Sequence, residues 1–148
     1  MLYFAYGSNM SKQRMLRRIP SARVVGTGYL NRWAVVFNKR SSDGSGKANL
    51  VEAEGAEAWG VLYEIELADF HRLHQLEKGY QRQTITAFQP GGDLVEAETY
   101  VSDDLTNVPV AFDWYKAYLV TGAAEASLPD WYQDYIAGLP SRPDPRRI

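Results

Sequence analysis

An aromatic, apolar run, Tyr3-Phe4-Ala5-Tyr6, begins almost at the first residue and stops at Gly7-Ser8-Asn9. A short helical pattern, Ser11-Lys12-Gln13-Arg14-Met15-Leu16-Arg17-Arg18, follows at once, with Ser11 as its N-cap. A buried strand that breaks into a Gly-led turn and feeds a helix gathers several backbone N–H groups in one place. Such a turn can hold a carboxylate, a phosphate or an oxyanion. Gly7 permits a close approach that a Cβ would block, and Ser8 and Asn9 can brace the turn or touch a ligand. A Gly-Ser-Asn cluster is also ordinary turn chemistry. The stretch therefore needs a second site before it signifies catalysis.

The rest of the chain reads as alternating strands with helices inserted and appended. Residues 22–30 and 33–38 are expected as two antiparallel strands joined by a short Asn31-Arg32 turn. Residues 39–47 (KRSSDGSGK) are expected as a flexible loop. Strands are expected over 48–53 and 58–65, with a turn at 54–57. Leu67, Phe70, Leu73 and Leu76 then recur at helical spacing, and Lys78-Gly79 ends that helix with Gly79 in a left-handed conformation. Residues 80–88 and 94–101 form a hairpin about Gln89-Pro90-Gly91-Gly92-Asp93. Helices are expected over 112–126 and from Pro129 to about Ala137. This makes the chain α+β, with its sheet curled into a small barrel. The expected division is one domain over 1–139 and a frayed or loosely docked Pro- and Arg-rich tail over 140–148.

Composition narrows the function classes. The 148 residues suffice for one packed domain. A formal net charge of −2 makes no electrostatic case for nucleic acid or an anionic membrane. Cysteine is absent, which excludes a disulfide framework, a thiolate zinc site and a cysteine nucleophile. No apolar run approaches the ~18 residues of a membrane helix, and no secretory signal is read at the N-terminus. A cytoplasmic protein is expected. Trp114, Trp131 and Tyr135 could serve a dimer contact or the core, so a monomer and a homodimer both stand.

Glu77 is the first acidic candidate. It falls in the last turn of the Leu67 helix, where the negative end of the helix dipole makes a carboxylate a poor stabiliser. That field and partial burial would raise its pKa toward values useful for proton transfer. A solvated glutamate paired with Lys78 or an arginine is the plainer alternative. His71, His74 and Glu77 share a helix at three-residue spacing, a thin set for a metal. Surface histidines explain it as well. Tyr100 and Tyr115 carry hydroxyls that face either the core or a pocket.

Taken together, these segments resemble the γ-glutamylcyclotransferase family. The likeness begins at Tyr3-Phe4-Ala5-Tyr6-Gly7-Ser8-Asn9, the family's N-terminal signature. It continues through Pro20-Ser21-Ala22, Ala48-Asn49-Leu50-Val51, Trp59-Gly60-Val61-Leu62-Tyr63, Leu76-Glu77-Lys78-Gly79-Tyr80 and Tyr100. It ends in Tyr115-Lys116, Gly122-Ala123, Leu128-Pro129 and Trp131-Tyr132. Many relatives carry a longer segment between the glutamate and the tyrosine than the Lys78-Gly79 seen here. The resemblance implies a small mixed β-barrel with flanking helices and Glu77 as catalytic acid/base. It implies a substrate-binding stretch over Tyr3, Phe4, Ala5, Tyr6, Gly7, Ser8 and Asn9, with the amides of Gly7, Ser8 and Asn9 as principal donors. Tyr100 and Tyr115 would stand near the pocket. The implied substrate is a small γ-glutamyl compound that cyclises to 5-oxoproline, with no metal or cofactor.

Overall fold

The computed structural model describes residues 1–147. Strands β1 (Leu2–Ala5), β2 (Arg23–Arg40), β3 (Gly46–Glu64), β4 (Gln81–Phe88) and β5 (Leu94–Val101) close into a barrel in the order β1-β3-β2-β4-β5. β1 is the seam. It runs antiparallel to β3, with Leu2 opposite Glu64 and Ala5 opposite Val61, and parallel to β5 through Tyr3 and Glu98. The remaining barrel pairings are antiparallel, so the single parallel contact makes the barrel mixed. A four-residue strand is short for this duty. It is held by burial, since Phe4 and Ala5 are fully enclosed and Tyr3 nearly so. Each such large apolar side chain contributes on the order of 2 kcal/mol.

Helices α1 (Lys12–Arg18), α2 (Leu67–Leu76), α3 (Asp113–Glu125) and α4 (Asp130–Ala137) flank the barrel. Ser11 caps α1 as expected, its Oγ accepting from the Arg14 amide at 3.3 Å. In α2 the apolar stripe is narrower than its spacing predicts. Phe70 and Leu73 are buried, whereas Leu67 and Leu76 face solvent. In α3 the buried side is Tyr115, Leu119, Gly122 and Ala123, and it lies on the turn that follows β1.

Three expectations change. The predicted strands at 22–30 and 33–38 are one strand, β2, and those at 48–53 and 58–65 are one strand, β3. Asn31-Arg32 and residues 54–57 do not reverse the chain. They form a bulge, in which two steps along β2, from Asn31 to Trp33, face five along β3, from Glu57 to Glu52. Positive φ angles at Arg32 (71°) and Gly55 (78°) absorb the mismatch. The true reversal is the 39–47 segment, and it is anchored rather than free. Asp43 Oδ1 accepts from the Ser45 amide at 2.9 Å and from its hydroxyl at 2.6 Å, while the Gly46 amide donates to Val110 O at 2.8 Å. The tail is likewise docked. β7 (Ser141–Arg142) pairs in parallel with β6 (Ala111–Phe112), and the buried Asp144 carboxylate accepts from Trp114 Nε1 at 2.9 Å. Arg146 grips the same carboxylate through Nε and a terminal nitrogen, at 3.1 and 2.9 Å.

Candidate active site

β1 delivers the chain into a 3-10 turn, Ser8–Met10, at one end of the barrel. The first amides of such a turn have no acceptor inside it and point outward. The turn is fixed from behind, where Tyr63 Oη donates to Asn9 O at 2.7 Å. Beside it opens a cleft of about 320 Å³, lined by Tyr3, Tyr6, Gly7, Ser8, Asn9 and Glu77 with Tyr80, Tyr100 and Tyr115 around them. A Cβ at Gly7 would sit 3.0 Å from Ala48 Cβ and 3.6 Å from Tyr115 Oη, so glycine there preserves both the packing and the opening.

Glu77 enters from the opposite wall. It is the C-terminal cap of α2, and its amide donates to Leu73 O at 3.1 Å. Gly79 then takes the expected left-handed conformation (φ 81°), which turns the chain into β4 and sets Tyr80 beside the glutamate in the cleft wall. Asn9 ties the two walls together. Its amide nitrogen donates to Glu77 Oε1 at 3.2 Å and to Tyr3 Oη at 3.0 Å, and its carbonyl faces the Arg18 guanidinium at 3.5 Å. Only the nitrogen end of an asparagine can serve a carboxylate, so this network fixes both side chains.

Burial pushes the Glu77 carboxyl above the ordinary carboxylate range. Arg18 and Arg14 hold it back, followed by the Asn9 hydrogen bond and Lys39. Glu77 is therefore neither a freely solvated glutamate nor one half of a surface pair. Among the described residues it makes no salt bridge within 4.0 Å. Burial first, and the Glu77 charge second, raise the phenols of Tyr3 and Tyr6 well above their usual range. Tyr100 is pushed up to about 12 by the same two causes. All three phenols therefore stay protonated and can act only as hydrogen-bonding groups at neutral pH.

The tyrosines divide by what they touch. Tyr6 Oη donates to Tyr100 O. Tyr115 Oη accepts from the Ala48 amide at 3.0 Å, and Tyr80 Oη donates to Ala48 O at 2.7 Å, so the pair clamps β3 against the cleft. Tyr100 Oη is buried with no hydrogen-bond partner among the described residues. An unmatched hydroxyl in a cleft wall is a donor held ready for something that enters.

Of the candidates read from the sequence, Tyr3, Tyr6, Gly7, Ser8, Asn9, Glu77, Tyr100 and Tyr115 meet at one cleft. Phe4 and Ala5 do not line it. Phe4 lies on the opposite face of β1 from Tyr3, its ring over Gly60, and Ala5 presents only a methyl group on the Tyr3 face. His71 and His74 line a separate depression with Leu67, Phe70 and Arg82 and do not converge with Glu77. Tyr80, Ala48 and Thr99 also line the cleft. Tyr80 and Ala48 fall in segments that carry the family resemblance, whereas Thr99 had no signal in the sequence.

The barrel is shared with solved structures. One described as gamma-glutamyl cyclotransferase superposes with a TM-score of 0.90 at 25% identity, covering 96% of this chain and 89% of that one. With the turn-and-glutamate cleft, this defines a mixed-barrel enzyme of the cyclotransferase type. The family described as "Gamma-glutamyl cyclotransferase, AIG2-like" matches residues 3–117, and the chain belongs to that family. Among curated relatives, the gamma-glutamylcyclotransferase of Bos taurus is 30% identical over 147 residues, 93% of this chain and 78% of the relative. The Homo sapiens gamma-glutamylcyclotransferase is 26% identical over 148 residues, with the same coverage.

Proposed function

We propose that the protein converts a γ-glutamyl amino acid or γ-glutamylamine into 5-oxoproline and the free amino acid or amine, with Glu77 as the proton shuttle and the Gly7-Ser8-Asn9 turn as the anion cradle. The substrate supplies its own nucleophile. Its α-nitrogen attacks the side-chain carbonyl, forming a C–N bond and closing a five-membered ring. The old amide C–N bond then breaks as the tetrahedral intermediate collapses.

Two proton transfers are required. Glu77, ionised, takes a proton from the α-ammonium and frees the lone pair. Glu77, protonated, then returns that proton to the departing nitrogen, and the second proton, which the ring nitrogen carries after the attack, is lost as the lactam forms and ends on the released amine. One carboxyl group can do both only if its two forms lie close in energy at working pH, which a raised pKa provides. The turn amides face the developing oxyanion or the substrate α-carboxylate, where fixed dipoles need no reorganisation. The cleft favours the folded conformer, so orientation supplies part of the rate. Tyr3, Tyr6, Tyr100 and Tyr115 shape the pocket, and Tyr100 Oη donates to the bound substrate.

The observation that carries this reading is the Asn9 bridge, which holds a buried carboxylate with a raised pKa against the anion-binding turn. Among the described residues, no helix is long and apolar enough to cross a membrane. With the cysteine-free composition, that supports a cytoplasmic setting, as a monomer or homodimer. The test is release of 5-oxoproline, read by mass, from a panel of γ-glutamyl-alanine, γ-glutamyl-ε-lysine, glutathione and a γ-glutamylamine. Product from one member, lost in a folded Glu77→Gln protein, is expected. Near-normal turnover by Glu77→Gln would refute the assignment of the shuttle.

A further inference from the structure

The cleft shares Ser8, Glu77, Tyr80 and Tyr115 with a second opening beside it. That opening is a vestibule of about 530 Å³ that is lined by five cations: Arg14, Arg18, Lys39, Lys47 and Lys78. These come from four separate places in the chain. Arg14 and Arg18 stand one turn apart on α1, Lys39 closes β2, Lys47 opens β3, and Lys78 follows the α2 cap. The chain has a net charge of −2 and 16 basic residues in all, so five of them around one opening is a local reversal of its overall sign.

Protein carboxylates do not neutralise this group. Among the described residues, Glu77 is the only acidic one lining the vestibule. Lys47 has a partner, with its Nζ 3.4 Å from Asp43 Oδ2 and 4.4 Å from the Tyr115 ring centre. Arg14, Arg18, Lys39 and Lys78 make no salt bridge among the described residues. Arg14 is instead held by Ser8 Oγ at 3.0 Å and stacks on Tyr118 at 4.6 Å, and Lys39 lies 5.4 Å from the Tyr80 ring centre. Arg14, Arg18 and Lys39 are thus held by neutral groups with Glu77 as their shared acidic neighbour, and that counter-charge is lost when the shuttle becomes neutral during the reaction.

Resting on the reading of Glu77 and the turn given above, we propose that the vestibule receives the leaving group, and that this leaving group is a dicarboxylic amino acid. The glutamyl half of the substrate fills the inner cleft against the turn. The scissile nitrogen sits at Glu77, so whatever it carries projects outward among the cations. A neutral leaving amine would meet uncompensated positive charge there. One α-carboxylate answers part of it. A second, on an aspartyl or glutamyl side chain, pairs with the cations that the first cannot reach, Lys39 and Lys78 on the outer side. Lysine as the leaving residue would be repelled.

The test compares kcat/KM for γ-glutamyl-glutamate, γ-glutamyl-alanine and γ-glutamyl-lysine linked through the lysine α-nitrogen, at low and high salt. The expected order is glutamate, alanine, lysine. The glutamate peptide should exceed the alanine peptide by about tenfold at low ionic strength, equal to about 1.4 kcal/mol. High salt should compress that ratio, because partly exposed charges are screened. Lys39→Gln/Lys78→Gln should shrink the same ratio through KM for the glutamate peptide. Equal values for the alanine and glutamate peptides, or a ratio that neither salt nor the double substitution moves, would overturn the inference and leave the Glu77 mechanism standing. Turnover of none of these peptides or of the earlier panel by the folded protein would overturn both.

Discussion

Gly122 is where helix α3 meets the Ser8–Met10 turn, and replacing it with alanine separates fold from function. A Cβ built there lies 2.5 Å from Met10 C, 2.6 Å from Ser11 N and 2.7 Å from Met10 Cβ. Ordinary contact begins near 3.4 Å, so about 0.9 Å must be found. Two of the three obstructing atoms are backbone, which cannot swing aside as a side chain can. Overpacking of this kind costs about 1–3 kcal/mol. Against it stands the gain from alanine in a helix interior, about 1 kcal/mol. The terms nearly cancel or leave a net loss of up to about 2 kcal/mol. Stability alone is thus a weak readout.

Activity is the sharper one. Met10 and Ser11 follow directly on Ser8 and Asn9, so a displacement of the needed size moves the turn amides and the Asn9 bridge relative to Glu77. A misplacement of about 1 Å can cost about 100-fold in rate. We expect Gly122→Ala to lower kcat/KM for 5-oxoproline release by at least about tenfold, mainly in kcat, with Tm falling by no more than about 8 °C. Steady-state kinetics and thermal unfolding on the same preparation measure both. A Gly122→Ala protein with unchanged kcat/KM and a raised Tm would show that α3 gives way instead of the turn. The claim that this contact sets the site geometry would then fail.

Three further outcomes are expected. Activity should fall as pH drops through the Glu77 pKa, because the shuttle must begin ionised, and this limb should lie above the ordinary carboxylate range. Arg18→Gln should move it to still higher pH, and a limb unmoved by that change would argue against Glu77 as its origin. For stability the sign is opposite. A carboxyl whose folded pKa is raised favours the fold below its unfolded value and loses that contribution as pH rises through the folded one. Glu77→Gln should therefore gain in Tm over the parent protein between pH 4.5 and neutrality, and a constant difference would refute the buried-carboxyl account. Tyr100→Phe should leave stability level or slightly higher, since it deletes an unsatisfied buried hydroxyl, yet reduce kcat/KM about tenfold if that hydroxyl donates to substrate. Removing residues 140–148 should lower Tm by more than about 4 °C, because it strips Trp114 of Asp144; an unchanged Tm would support a domain complete at residue 139.

The parts of the site legible in the sequence are those fixed by local rules. The β1-to-turn junction, the Ser11 cap and the left-handed Gly79 each rest on neighbours within a few residues, and each lies where its pattern puts it. The bulge at Asn31-Arg32 and 54–57 misleads for a physical reason. Polar and glycine residues signal that the ladder is interrupted, but whether the chain reverses or merely buckles depends on the partner strand, which is distant in sequence. The docked tail was hidden in the same way. Asp144 looks like a solvated charge until Trp114 and Arg146 are brought to it. The cationic vestibule is the extreme case, since its arginines and lysines are scattered along the chain and acquire one meaning only when the barrel closes. A local pattern can thus nominate the glutamate and the turn proposed to do the chemistry. The cations proposed to choose what leaves are assembled by tertiary contacts alone, so chains that keep the first set can differ in the second, and substrate preference has to be read from the outer wall of each barrel separately.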